Sequence, residues 1–351
     1  MQKTVVRKIS EAKPDMGTIR QAGRILRAGG LVAFPTETVY GLGADALQAE
    51  ASKKIYAAKG RPSDNPLIVH ICNMADLEQI VLEIPQVARI LADKFWPGPL
   101  TMILRKNEKV PYETTGGMDT VAVRMPSNKT ALALIREGGG YIAAPSANTS
   151  GKPSPTLAEH VYEDLKDRIP LILDGGAVGI GIESTIIDLT EDVPVVLRPG
   201  FITLEMLKKA IGEVRMDPGI SAEHADIRPK APGMKYRHYA PKAEMVLVEG
   251  APEKVIEQIR KLAREQSSKG KKVGIIAAEE TAGCYEQGVV LCIGARQDEE
   301  KIAHNLYKIL RAFNAYDVDL IYSESFSTLQ MGQAVRNRLL KAAGHQVIIA
   351  E

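Results

Sequence analysis

Lys59-Gly-Arg-Pro-Ser-Asp-Asn-Pro-Leu-Ile-Val-His70 sets two cations two residues apart and pins them to the start of an apolar run. Pro62 and Pro66 exclude a helix interior here, because each removes a backbone donor and clashes with the preceding turn. Leu67-Ile-Val69 then reads as a short buried strand with His70 at its far end. The expectation is a stiffened loop carrying Lys59, Arg61, Ser63 and Asn65. Fixed donors on such a loop suit a polyanion, above all phosphate. A solvated basic turn would account for the charges but not for the prolines and the abutting strand.

Upstream, residues 15–28 read as a helix capped by Asp15, with Ile19, Ala22, Ile25 and Leu26 on its apolar face and Gly29-Gly30 as the stop. Leu31–Phe34 is then a buried strand that runs into Pro35-Thr-Glu-Thr-Val-Tyr-Gly-Leu-Gly43, polar side chains placed at a strand's end to line a pocket. Gly41-Leu-Gly43-Ala-Asp-Ala46 matches a dinucleotide fingerprint in letters only. That fingerprint opens a helix directly after its strand, whereas helical periodicity resumes here near Glu50, so the glycines are expected to serve a tight turn.

Downstream, helical pieces over 75–95 break at Pro85, and Leu100–Leu104 and Thr120–Met125 read as strands. In the second, Val121 and Val123 face one way and Thr120, Ala122 and Arg124 the other. An Arg in an apolar strand calls for an anionic partner, from the chain or from a substrate. A helix over 128–137 leads to the strand Tyr141–Ala144 and a loop rich in hydroxyls and amides, Ser146-Ala-Asn148-Thr-Ser-Gly-Lys152-Pro-Ser-Pro-Thr156. It is no P-loop, because Ser146 stands where the first glycine belongs and Pro153 replaces the Ser/Thr. Leu171–Asp174, Ser184–Leu189 and Val195–Arg198 are further strands, and a helix over 203–211 closes a first domain.

Residues 212–244 hold four prolines, and from Ile227 to Lys242 there are five Lys/Arg and no acid. A stretch this long without periodicity is a functional loop or a tether. Tyr236 and Tyr239 among like charges favour a flap over a nucleotide. From 245 to 351 strands alternate with helices, the pattern of a small parallel-sheet domain with a supporting or regulatory role.

At 351 residues two domains are expected, 1–211 and 245–351, joined by 212–244. With 45% hydrophobic and 25% charged residues and a net charge of +2, no global field points to nucleic acid or membrane. Three scattered cysteines suit a reducing cytoplasm and argue against a disulfide framework or a structural metal. The start MQKTVVRKIS has no long apolar region, and no run reaches the length of a membrane span, so neither a signal peptide nor a membrane segment is expected.

Four motifs now stand in order: Phe34–Gly43, Lys59–His70, Pro145-Ser-Ala-Asn-Thr-Ser-Gly151 and Pro232-Gly-Met-Lys-Tyr-Arg-His-Tyr-Ala-Pro241. Together they resemble the YrdC-type threonylcarbamoyl-AMP synthases in their two-domain version, over nearly the whole chain. The resemblance implies an α/β architecture, with an N-terminal YrdC-like twisted mixed sheet and helices and a smaller C-terminal Rossmann-like domain joined by a long ordered linker. It implies a nucleotidyltransferase that makes threonylcarbamoyl-AMP and pyrophosphate from L-threonine, bicarbonate and ATP. Mg²⁺ would be held mainly by the ATP phosphates, and no side chain is assigned as a metal ligand. Threonylcarbamoyl-transferase proteins acting on tRNA would use the product next to the anticodon, and a weak direct tRNA contact is compatible with this role.

By the same resemblance Lys59 and Arg61 are the catalytic cations. Thr38, His70, Arg124, Ser146 and Ser184 line the threonine side, with Arg124 facing the carboxylate. Arg61, Asn65, Thr120, Asn148, Thr156, Arg198 and one of Tyr236 and Tyr239 line the ATP side. Two rival classes fit less well. A double-stranded RNA module needs a continuous basic face, and carbamoyl transfer in metallocentre maturation comes with cysteine-rich zinc modules that this sequence lacks.

Overall fold

The computed structural model describes residues 3–220, 238–326 and 331–351. Tyr236 and most of the predicted flap lie outside them. The described residues divide into two compact units.

The first unit takes in 3–150, 154–179 and 183–220. Its elements in chain order are β1 (Val5–Lys8), α1 (Met16–Arg27), β2 (Val32–Phe34), β3 (Gly41–Asp45), α2 (Ala49–Lys59), β4 (Ile68–His70), α3 (Met74–Glu78), α4 (Gln86–Phe95), β5 (Leu100–Arg105), α5 (Tyr112–Thr115), β6 (Thr120–Arg124), α6 (Lys129–Glu137), β7 (Ile142–Ala143), α7 (Ala158–Leu165), β8 (Leu171–Asp174), β9 (Thr185–Asp188), β10 (Val195–Arg198), α8 (Leu204–Ile211) and β11 (Arg215–Met216). The strands form one mixed sheet in the order β1-β8-β2-β3-β7-β4-β6-β5-β9-β10-β11. Parallel pairs such as β4 with β6 sit beside antiparallel ones such as β6 with β5.

Local chemistry explains the boundaries. Asp15 accepts from the backbone N–H groups of Gly17 and Thr18 and so caps α1. Ile19, Ala22 and Leu26 then pack against Ala131, Leu134 and Ile135 of α6. Full burial of Ile19 and of Leu26 is worth about 1.5–3 kcal/mol each. At Gly23 the helices meet so closely that a Cβ would sit 2.5 Å from the Glu137 carbonyl oxygen.

Two expectations are corrected. Gly41 and Gly43 do not make a tight turn but lie within β3, antiparallel to β2. A Cβ on Gly43 would meet Phe34 at 2.9 Å and Ile142 at 3.0 Å, so these glycines make room for flanking side chains. Lys59 is not on the loop but is the last residue of α2. Gly60, at φ 62°, ends that helix, and the loop begins at Arg61. Between β5 and β6 the chain forms the short α5.

The alternation of β6 is as read. Val121 and Val123 join the large core on one face of the sheet. Ala122 joins Ile68, Ile103, Ile186 and Leu197 in a small apolar cluster on the other.

The second unit takes in 151–153, 180–182, 238–326 and 331–351. Its elements are β12 (Glu244–Gly250), α9 (Pro252–Ser268), β13 (Val273–Ala278), β14 (Val289–Gly294), α10 (Glu299–Tyr316), β15 (Leu320–Glu324), α11 (Gly332–Ala342) and β16 (Val347–Ala350). The sheet order is β14-β13-β15-β12-β16 with every pair parallel, as the strand–helix alternation requires. Buried Glu324, at the end of β15, accepts from Thr281 and Tyr285 at 2.6 Å each and pairs with Arg296. Burial, then this carboxylate, pushes the Tyr285 hydroxyl well above its usual range.

Candidate active site

The small apolar cluster of the first unit is a floor with polar residues at both ends. At one end, site residues stand side by side on neighbouring strands. His70 of β4 is opposite Arg124 of β6, and Arg124 is opposite Thr101 of β5. Thr101 is opposite Ile186 of β9, which is opposite Arg198 of β10. At the usual strand spacing this row spans roughly 19 Å. Thr120 heads β6 at the other end of the floor, four residues or roughly 13 Å of strand rise from Arg124.

The row is wired together by short contacts. Ser184 shares a hydrogen bond with Thr101 between hydroxyls at 2.8 Å. Arg198 donates to the Ser184 carbonyl at 3.0 Å and to its hydroxyl at 3.2 Å. Arg124 donates through Nη1 to the Thr38 hydroxyl at 2.9 Å, and its Nη2 pairs with Glu37 at 2.6 Å. So the anionic partner that Arg124 demands is a carboxylate of the chain. The two oxygens of Glu37 and the Arg124 Nη2 are buried, and none makes an aligned hydrogen bond.

His70 is buried, and its Nδ1 lies 3.1 Å from the Ile68 carbonyl. A carbonyl only accepts, so Nδ1 carries the proton and Nε2 is an acceptor. Burial, and secondarily the Arg124 cation, holds the imidazole down to about 3, so it is neutral at ordinary pH.

The 35–40 loop that carries Thr38 is stitched to the 145–147 loop. Leu42 N–H donates to the Pro145 carbonyl and Ala147 N–H to the Tyr40 carbonyl, each at 2.8 Å. Tyr40 donates its hydroxyl to the Gly176 carbonyl at 2.6 Å and is fully buried. Ser146 donates its hydroxyl to Asn148 Oδ1 at 2.6 Å. Beneath this loop Lys59 is buried, with Nζ donating to the carbonyls of Ser146, at 2.5 Å, and Asn148.

Arg61 folds over its own loop. Nη2 donates to Asn65 Oδ1 at 2.6 Å and to the Pro66 carbonyl at 2.9 Å. Leu67 N–H donates to the Thr114 carbonyl at 3.0 Å, which brings this loop to the Thr120 end of the floor.

The predicted residues therefore fall into groups. Thr38, His70 and Arg124 form one, Ser184 and Arg198 another, Lys59, Ser146 and Asn148 a third, and Arg61 and Asn65 a fourth beside the Thr120 end. Thr156 is buried with its N–H directed at His160 Nδ1, 3.3 Å away. Tyr239 belongs to the second unit, where its buried ring packs on Tyr307 with centroids 5.2 Å apart. Thr101 was missed by sequence reasoning, because an isolated Thr in a strand carries no signal until Ser184 is placed beside it. Glu37 was visible only as one polar letter in its motif. Among the described residues no three His, Cys, Asp or Glu side chains gather to hold a metal ion. No helix among them is long and apolar enough to cross a membrane.

Comparison with known proteins agrees in both halves of the chain. Residues 24–200 match the family of Sua5, YciO and YrdC, described as Telomere recombination, and residues 202–344 match the family described as Threonylcarbamoyl-AMP synthase, C-terminal domain. A threonylcarbamoyl-AMP synthase of Pyrococcus abyssi is 52% identical over 94% of this chain and 95% of its own length. One from Bacillus subtilis is 51% identical over 94% of each. The crystal structure of P. abyssi Sua5 complexed with L-threonine superposes with a TM-score of 0.94, at 50% identity, over 99% of this chain and 100% of that one. The chain thus belongs to the Sua5, YciO and YrdC family, in the two-domain form that carries the Sua5 C-terminal domain.

Proposed function

We propose that this chain is a threonylcarbamoyl-AMP synthase, condensing L-threonine, bicarbonate and ATP to threonylcarbamoyl-AMP and pyrophosphate. The observation that carries the reading is the row of His70, Arg124, Thr101 and Arg198 on neighbouring strands, with Ser184 bonded into it, at one end of an apolar floor whose other end lies beside Arg61 and Asn65. A small zwitterion with a hydroxyl suits the His70–Arg124 part of the row, and a triphosphate suits the second end, with Arg198 at the row's far end as a further cation for the nucleotide.

In this reading Arg124 takes the threonine carboxylate, and Thr38, Ser146, Ser184 and His70 complete the pocket. The threonine nitrogen joins the bicarbonate carbon and water leaves, giving a carbamate. A carbamate oxygen then attacks the α-phosphorus, and the bond to pyrophosphate breaks. Charge builds on phosphate oxygens, so preorganised donors supply the main stabilisation. Arg61 with Asn65, Thr120, Asn148, Thr156 and Arg198 holds the nucleotide. Lys59, bonded to two backbone carbonyls, serves first as the anchor of the Ser146–Asn148 loop. Mg²⁺ enters with ATP, held by its phosphates.

The catalytic domain is taken as 1–211 and the supporting domain as 245–351, with Tyr236 and Tyr239 as the linker's nucleotide candidates. The product passes to threonylcarbamoyl-transferase proteins acting on tRNA in the cytoplasm. Pyrophosphate release from ATP tests the reading: it should require L-threonine and bicarbonate together. Release that ignores either one would overturn it.

A further inference from the structure

The amino-acid end of the site contains a group that the reading above leaves without a task. Glu37 holds both carboxylate oxygens away from solvent, yet among the described residues neither makes a hydrogen bond. Among the described residues its one charged contact is Arg124 Nη2, 2.6 Å from Oε1 but not aligned for a hydrogen bond. A carboxylate offers about four acceptor positions, and a buried one with none filled is unusual. Arg–carboxylate pairs frequently align two parallel N–H···O bonds. Here the Arg124 Nη1 is directed instead to Thr38.

We propose that Glu37 is the receptor for the ammonium group of the amino-acid substrate. The inference rests on the reading of Arg124 as the carboxylate partner. In the empty site Glu37 and Arg124 neutralise each other. A zwitterion brings one charge of each sign, so its carboxylate engages Arg124 and its ammonium engages Glu37, and no net charge is buried. The three N–H donors of an ammonium match the vacant acceptors of Glu37. The hydroxyl is read elsewhere, by groups such as the His70 Nε2 acceptor on the strand beside Arg124. Glu37 thereby selects an α-amino acid over a hydroxy acid of the same shape.

The test compares the binding of L-threonine and 3-hydroxybutyrate, which keeps the carboxylate and hydroxyl but lacks the amine, to the wild-type protein, Glu37→Gln and Glu37→Asp. Glu37→Gln should weaken L-threonine tenfold or more, the scale of a lost hydrogen bond to a charged group. The same variant should hold 3-hydroxybutyrate as well as the wild type or better, because Arg124 has lost its internal competitor. Glu37→Asp, charged but shorter, should give an intermediate loss for L-threonine. A merely structural role would lower both ligands in parallel, and that result overturns the proposal. Equal L-threonine affinity in the wild type and both variants overturns it too. If the wild type binds no L-threonine at all, the failure lies with the amino-acid site itself rather than with Glu37.

Discussion

The ammonium of Lys59 donates to the Ser146 carbonyl at 2.5 Å, so a side chain at the end of α2 fixes the height of a loop 87 residues further along the chain. The same Nζ donates to the Asn148 carbonyl. Replacing Lys59 with Met keeps the length of the side chain and removes both bonds. Two carbonyls, one buried and one part-buried, would lose their ammonium donor, at about 1–3 kcal/mol each. Lys59→Met should therefore lose roughly 2–6 kcal/mol of stability in denaturant unfolding as well as its activity. An unchanged unfolding midpoint would show that the loop holds its place without Lys59.

Arg61 is a different case. It is only half-buried, and it donates to Asn65 and Pro66 of its own loop. Arg61→Ala should lower pyrophosphate release by ~10²-fold, the scale of losing one preorganised charge-stabilising donor. Its unfolding midpoint should move far less than that of Lys59→Met. Near-normal release would remove Arg61 from the catalytic assignment.

His70 makes the protein sensitive to acid. Its imidazole is held down to about 3 from an ordinary 6.5, first by burial and then by Arg124. Between those values the unfolded chain binds a proton that the folded chain refuses. Stability therefore rises with pH across this window and falls as the medium is acidified, by up to about 1.4 kcal/mol per pH unit from this one group. Above pH 6.5 neither state changes and the effect vanishes. His70→Gln should show a shallower fall in unfolding midpoint from pH 6 to pH 4 than the wild type. Identical slopes would place the acid sensitivity elsewhere.

Recognition of the substrate hydroxyl by Ser184, Ser146 or His70 predicts discrimination. A site built to bond a hydroxyl leaves its own buried polar groups unpaired when an analogue lacks it. 2-Aminobutyrate should be a very poor substrate, whereas serine loses mainly a methyl contact. Comparable pyrophosphate release with 2-aminobutyrate and L-threonine would rule out this mode of selection.

Gly43 tests the packing behind the site. An added methyl would lie 2.9 Å from Phe34 and 3.0 Å from Ile142, with little space to give way. Gly43→Ala should cost about 1–3 kcal/mol of stability through overpacking. A neutral effect on the unfolding midpoint would mean that Phe34 yields freely.

Much was legible in the chain itself, because local rules act over a few residues. Asp15 before an apolar stripe marks the start of α1, and Gly29-Gly30 just beyond Arg27 mark its end. Alternation in Thr120–Arg124 put Val121 and Val123 in the core and Arg124 on the site face. The repeating strand–helix pattern after 245 specified a parallel sheet, since parallel neighbours need a crossover between them. The four motifs pointed to the family and the reaction class.

Neighbourhood was decided only in three dimensions. No spacing places Thr101 against Ser184, 83 residues away, because strand order is set by how whole faces are buried rather than by local preference. The same holds for the glycines of β3, whose letters suit a turn but whose place beside Phe34 and Ile142 makes them spacers in a strand. Lys59 reads as a loop cation, and only the folded chain shows it buried as the end of a helix under two carbonyls. Glu37 is one polar residue among several in its motif. Its closeness to Arg124, with both oxygens left open, depends on a loop and a strand brought together from 87 residues apart. Side-chain charges find such partners through the tertiary fold, which no local pattern encodes.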